Sequence, residues 1–223
     1  MNRPEREIRR PKFLCIIGCE GKNQERLYFN KVQEIVNSIG RRSYDLQFDY
    51  AEPFGGDPKC VVERTILKSI GKVNKAAVFD YDGKKKKYEE AIDLATDGGI
   101  ILGYTNYCFD LWLLLHKEDY FNVVSSQDDY AQELRSVYGL DKEANIKKAR
   151  QMERILKQIS VTDIKAAILR AERMASDNLQ KAVNKTSQGR DYYDNPDTQV
   201  HNLLKWLFVQ VGVGDDLEEQ EDD

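Results

Sequence analysis

The sequence has no apolar run near the roughly 20 residues needed to cross a bilayer. Its longest candidate, Cys108 to Leu115, is far too short and is interrupted by Asp110. The charged stretch Met1 to Lys12 is not followed by a secretory cleavage pattern. Only four cysteines occur, at 15, 19, 60 and 108, and Cys15 and Cys19 have no second Cys/His pair with which to build a zinc site. There is no glycine-rich P-loop and no internal repeat. These absences argue against a membrane span, a zinc module, a P-loop NTPase and a solenoid. They predict a cytoplasmic protein with reduced, buried thiols and no membrane partner.

What is present suits a helix-rich globular chain. The 223 residues are 41% hydrophobic, 10% aromatic and 32% charged, with mean hydropathy −0.64. The net charge of −4 conceals an asymmetry: Asp215 to Asp223 holds seven acids and no base, and without it the count becomes +3. Such a tail is expected to be disordered. The body carries basic clusters at Arg9-Arg10, Arg41-Arg42 and Lys84 to Lys87. They permit a nucleic-acid partner, although such clusters are ordinarily solvated surface.

The first half alternates between strand and helix patterns. Phe13 to Cys19 is a continuous apolar run, as in a strand buried on both faces, and a helix pattern through Leu27, Phe29, Val32, Ile35, Val36 and Ile39 follows Glu20-Gly21. Tyr44 to Tyr50 reads as a second strand. Asp57-Pro58 caps a helix expected to reach Asn74. Ala76 to Asp80 is a third strand, 84–96 a lysine-rich helix stopped by Asp97-Gly98-Gly99, and Ile100 to Tyr104 a fourth strand. This order predicts a parallel α/β sheet with helices on both faces.

Parallel sheets gather ligands beyond the carboxyl ends of their strands. Asp80 and Asp82 follow the third strand and, being two apart, can face one hard cation together. The plainer reading is a turn, since Asp and Gly are ordinary residues for leaving a strand. Glu20 sits at the same edge, as a metal ligand or as a helix-start acid that complements the helix dipole.

The second half reads as an apolar helix over Cys108 to His116, a mostly helical region from Tyr120 to Lys185, and a last helix begun by Asn195-Pro196 as a capping signal. Asp110, flanked by Phe109, Leu111 and Trp112, is costly to bury alone and should face a cation, a donor cluster or water. Asn106 is a polar residue at the functional edge. His116 contacts a phosphate or fills the core; His201 and Trp112 read as structural, and Arg170 and Lys205 as surface bases. The Lys84 to Lys87 run is a solvated face or a phosphate-gathering edge.

Four blocks together resemble the RloB-like proteins, a bacterial family with a Toprim-type nuclease core. They are Cys19-Glu20-Gly21 with Glu25 and Tyr28-Phe29; Phe79-Asp80-Tyr81-Asp82; Thr105 to His116; and Asn195-Pro196-Asp197-Thr198. Tyr107, Asp110 and Asp197 depart from the family's usual Pro, Glu and Ser. The resemblance implies a Toprim-like (Rossmann-like) core over 1–118, a helical region over 119–210 packing on it, and an acidic tail over 211–223. It implies Glu20, Asp80 and Asp82 as catalytic residues, and these with Asp110 as ligands of Mg²⁺ or Mn²⁺. Lys84, Asn106, His116, Asn195 and Thr198 would contact substrate. Expected partners are nucleic acid (RNA such as tRNA, or DNA) and an ATPase protein, in an assembly compatible with a homodimer. The implied role is a metal-dependent nuclease in antiphage defence; the alternatives are a non-catalytic, cation-holding regulatory subunit and phosphoryl transfer on a nucleotide.

Overall fold

The structure is a computed structural model and describes residues 10–81, 85–124, 126–185 and 196–214, with the side chains of 179–185 outside that description. Asp82, Lys84, Asn195 and the acidic run 215–223 therefore lie outside the described residues.

Four strands form one parallel sheet: β1 (Lys12–Cys19), β2 (Asp45–Tyr50), β3 (Lys75–Val78) and β4 (Ile101–Leu102), in the order β2-β1-β3-β4. The apolar run of β1 is explained by its place between two neighbours, with Cys15, Ile16, Ile17 and Cys19 at most 1% exposed. The intervening helices are α1 (Glu25–Ser38), α2 (Pro58–Lys68) and α3 (Lys85–Asp97). This is the α/β, Rossmann-like architecture expected from the alternation.

Beyond the sheet come α4 (Asp110–Leu114), α5 (Gln127–Val137), α6 (Ala149–Leu156), α7 (Val161–Lys185) and α8 (Val200–Val211). One apolar cluster runs from Phe13, Tyr28 and Phe29 through Trp112 and Tyr130 to Leu203 and Leu207, so the helical region shares its core with the sheet. Val211 and Val213 are also buried, which carries that core past the boundary drawn at 211. A second cluster, around Phe79, Tyr88 and Tyr104, packs α2 and α3 on the opposite face. Among the described residues no helix is long and apolar enough to cross a membrane.

Three local expectations need correction. Helix α2 stops at Lys68 rather than Asn74, because Ser69 leaves helical geometry and Gly71 adopts φ 74°. The apolar block 108–116 supplies only five helical residues, flanked by turns, since Tyr107 enters it at φ 65°. The N-cap of α8 is Gln199, whose side chain makes no cap bond; Thr198 Oγ1 accepts the Val200 N–H at 3.3 Å instead, and Asn195 lies outside the described residues. The described residues of that block also lie along the sheet edge: Thr198 bridges Thr105 antiparallel, the Asn106 N–H donates to Asp197 O at 2.8 Å, and the Gln199 N–H donates to Tyr104 O at 2.8 Å.

The contact between β1 and α2 is unusually close. A Cβ at Gly18 would fall 2.0 Å from Thr65 Oγ1, whose hydroxyl is committed to Val61 O at 2.8 Å. Gly18→Ala should therefore push α2 off the sheet and lower stability by about 1–3 kcal/mol, measured by urea denaturation with the far-UV spectrum unchanged.

Candidate functional site

Parallel pairing brings the carboxyl ends of all four strands to one edge. The N–H of Glu20, just past β1, donates to Val78 O at 3.1 Å. The Glu20 carboxylate returns across the edge and accepts the backbone N–H of Asp80 through Oε2 at 3.2 Å. Asp80 in turn bridges Thr105 in parallel, and the Tyr81 N–H donates to Thr105 O at 3.0 Å. Glu20, Asp80 and the 105–106 segment are thus held as one edge by main-chain hydrogen bonds, each offsetting the desolvation of the groups it joins.

Two further acids enter from the helices. Asp110, first residue of α4, is 1% exposed, and the side-chain amide of Gln24 donates to its Oδ1. The sequence asked for a cation, donor or water here, and an amide donor is what the fold supplies. Burial raises Asp110 to about 6, opposed by Gln24 and the charges of Lys147 and Arg135. Glu25, first residue of α1, is 3% exposed, and its Oε2 has no hydrogen-bond partner. Burial pushes it up to about 7, reinforced by the negative charges of Glu20 and Asp110. Gly21 makes room for this carboxylate, because a Cβ there would stand 1.8 Å from Glu25 Oε2. Burial likewise raises the Cys108 thiol, helped by Asp110 and Asp80, so that thiol is inert.

Sequence reasoning omitted Glu25, Gln24 and Lys147 from the site. Glu25 stood in a quoted motif with no role assigned to it, and only its burial beside two carboxylates reveals more. Lys147 comes from the α5–α6 connection, far away in sequence. Asn23 Nδ2 donates to its carbonyl at 3.2 Å, and its Nζ donates to Gln127 Oε1 at 3.2 Å.

Other expected site residues are placed differently. His116 is 2% exposed, with Nδ1 2.9 Å from Trp112 O and Nε2 3.1 Å from the Tyr28 hydroxyl. It is a core histidine in this fold, since an apolar setting satisfies both nitrogens and leaves none for a phosphate. Burial lowers it to about 4. Thr198 is buried, bonded to the Thr105 hydroxyl at 3.1 Å and to Tyr104 O at 3.3 Å, so it ties the late segment to the sheet rather than facing solvent. Asn106 is 1% exposed at the same seam. The lysines at 85, 86 and 87 lie near Glu89, Glu90 and Asp57 at 3.7–3.9 Å, as on a solvated face. Arg170 donates to Leu115 O at 2.7 Å and Lys205 pairs with Glu172.

A model of the RloB-like protein family matches residues 15–207. The chain belongs to the RloB-like family. No curated protein and no solved structure matches it. The metal implied by this resemblance can be tested on the donor set. Among the described residues no three His, Cys, Asp or Glu side chains already stand at coordinating spacing. The chemistry nonetheless fits a hard divalent cation: a buried carboxylate oxygen lacks a hydrogen-bond partner, and burial with two neighbouring carboxylates disfavours the charged form of Glu25.

Two measurements follow from these shifts. Glu25 has its folded pKa raised, so its favourable contribution is complete below about 4.5 and is lost as pH rises through about 7. In metal-free protein, Glu25→Gln should raise the melting temperature at pH 8 by on the order of 5 °C, and the gain should vanish below pH 4.5. His116 has its folded pKa lowered, so stability is lost as pH falls from 6.5 towards 4. His116→Gln should flatten that part of a urea-denaturation pH profile.

Proposed function

We propose that this chain is a metal-dependent nuclease with a Toprim-like core that hydrolyses phosphodiester bonds in nucleic acid. The observation that carries this reading is the gathering of Glu20, Glu25, Asp80 and Asp110 at the carboxyl edge of the sheet, with Glu25 and Asp110 raised in pKa by burial and Glu25 further by Glu20 and Asp110. A cluster of that sign and softness favours Mg²⁺ or Mn²⁺ over thiol-seeking metals. Glu20, Glu25, Asp80 and Asp110 would hold it, with Asp82 adjoining in sequence. When bound, the cation supplies Lewis acidity toward a phosphate and lowers the pKa of a coordinated water.

The remaining work falls to the chain itself. The Asp80 amide orients Glu20, which stands half-exposed at the rim and can accept a proton from an attacking water. Glu25 holds a proton near neutrality and surrenders it as its surroundings become cationic, so cation capture strengthens with pH. Gln24 fixes Asp110 against rotation. Lys147 adds a positive charge on the side of the cluster formed by the α5–α6 connection. Family resemblance is the ground for extending the reading to a bacterial antiphage effector working beside an ATPase partner.

The direct test is cleavage of tRNA, single-stranded RNA, plasmid and linear DNA in Mg²⁺ or Mn²⁺. One substrate class should be cut, with activity lost in EDTA and reduced about a hundredfold or more in Glu20→Ala and Asp80→Ala. Full activity in both folded variants would overturn the reading, and no cleavage of any substrate by a wild type that still binds the cation would leave a cation-holding regulatory subunit in its place.

A further inference from the structure

One cation at the site edge, Arg26, has no counter-ion among the described residues. Arg26 follows Glu25 in the first turn of α1, and its guanidinium carbon lies 5.4 Å from the ring centroids of both Tyr50 and Phe54. Its Nε is buried without a hydrogen-bond partner, and among the described residues no carboxylate pairs with its charge. An arginine gripped by two aromatic faces loses little further freedom on binding a ligand, and its remaining N–H groups form a fork suited to phosphate oxygens.

The grip is itself built. Tyr50, the last residue of β2, directs its hydroxyl to Asn30 Oδ1 at 2.8 Å and to Arg26 O at 3.1 Å. Phe54, with its ring 6.2 Å from that of Tyr50, sits in the loop after β2, where the Gly55 N–H donates to Glu20 O at 2.8 Å. The guanidinium of Arg64 bonds the carbonyls of Pro53 and Gly55 and pins the same loop. The Arg26 charge is felt by Cys19, the residue immediately before Glu20. A guanidinium held by two rings, with no ion pair among the described residues, therefore stands at the same sheet edge as a set of carboxylates.

We infer that Arg26, oriented by Tyr50 and Phe54, is the phosphate-binding residue of this site, holding a backbone phosphate of a nucleic-acid strand next to the one placed at the carboxylates. The inference rests on the nuclease reading for its ligand class, but it is tested by binding alone.

The full chain is titrated into fluorescein-labelled 12-nucleotide RNA and DNA, single- and double-stranded, in Ca²⁺ at several salt concentrations. Arg26→Ala should bind about tenfold or more weakly, and the slope of log affinity against log salt should fall by roughly 0.7–0.9, the share of one phosphate. Arg26→Lys should keep the slope and regain part of the affinity, and it preserves the packing stem should the alanine variant fold poorly. Phe54→Leu should fall between. Lys72→Ala, in the turn before β3 at the opposite edge, should match the wild type. Unchanged affinity and slope in a folded Arg26→Ala overturns the inference while the nuclease reading stands, provided Asp80→Ala still abolishes cleavage. Loss of binding on Arg26→Ala with no cleavage by the wild type keeps the inference and overturns the nuclease reading. No binding of any strand by the wild type overturns both.

Discussion

The constraint on which the site depends is the confinement of like charge. Glu25 feels the charges of Glu20 and Asp110 across the carboxyl edge, and Glu25 and Asp110 are almost wholly removed from water. In isolation such a cluster opposes folding, because desolvation and mutual repulsion both act against the ionised forms. The chain meets the cost locally. Gln24 donates to Asp110, the Asp80 amide to Glu20, and Lys147 lends charge from another part of the chain. Glu25 keeps an oxygen with no hydrogen bond, and that residual deficit is what a cation would relieve.

The same constraint explains why the site draws on distant segments. Main-chain bonds from 104–106 to 197–199 and the Thr105–Thr198 hydroxyl contact join residues more than ninety apart. Asn178 Nδ2 adds a bond to Pro196 O at 2.9 Å from the long helix α7. Truncating the chain after the sheet would open this edge to water and unfasten Asn106. The family match from 15 to 207 covers both halves of that seam.

Much of the framework was legible. Strands buried on both faces must be continuously apolar, and that is how Phe13 to Cys19 and the start of the stretch Ala76 to Asp80 read, although β3 ends at Val78. Glu20 and Asp80 could be placed at one edge because parallel strands share a direction. What stayed hidden was decided by tertiary contact. Glu25 and an ordinary helix-start acid have the same local pattern, and only Gly21 and the neighbouring carboxylates tell them apart. His116 ends an apolar run next to polar residues, which suits a surface ligand equally well until the Tyr28 hydroxyl is seen against its ring. The block 195–198 has the composition of a cap, and Thr198 does accept the Val200 N–H, but its described residues also add main-chain bonds to a sheet edge, a pairing that no local signal encodes.

The electrostatics of this edge have two halves that call for different partners. On the proposed reading a hard cation would complete Glu25, whose Oε2 makes no hydrogen bond, while an anion would complete the guanidinium of Arg26, stacked on Tyr50 and Phe54. The two aromatic contacts hold the guanidinium, and among the described residues it pairs with none of these acids. A chain that binds only a cation has no use for a nearby positive charge kept from the acids. A polyanion that brings one phosphate to the metal and another to the guanidinium completes both halves at once. The separation of the charges thus favours a substrate with repeated phosphates over a solitary ion.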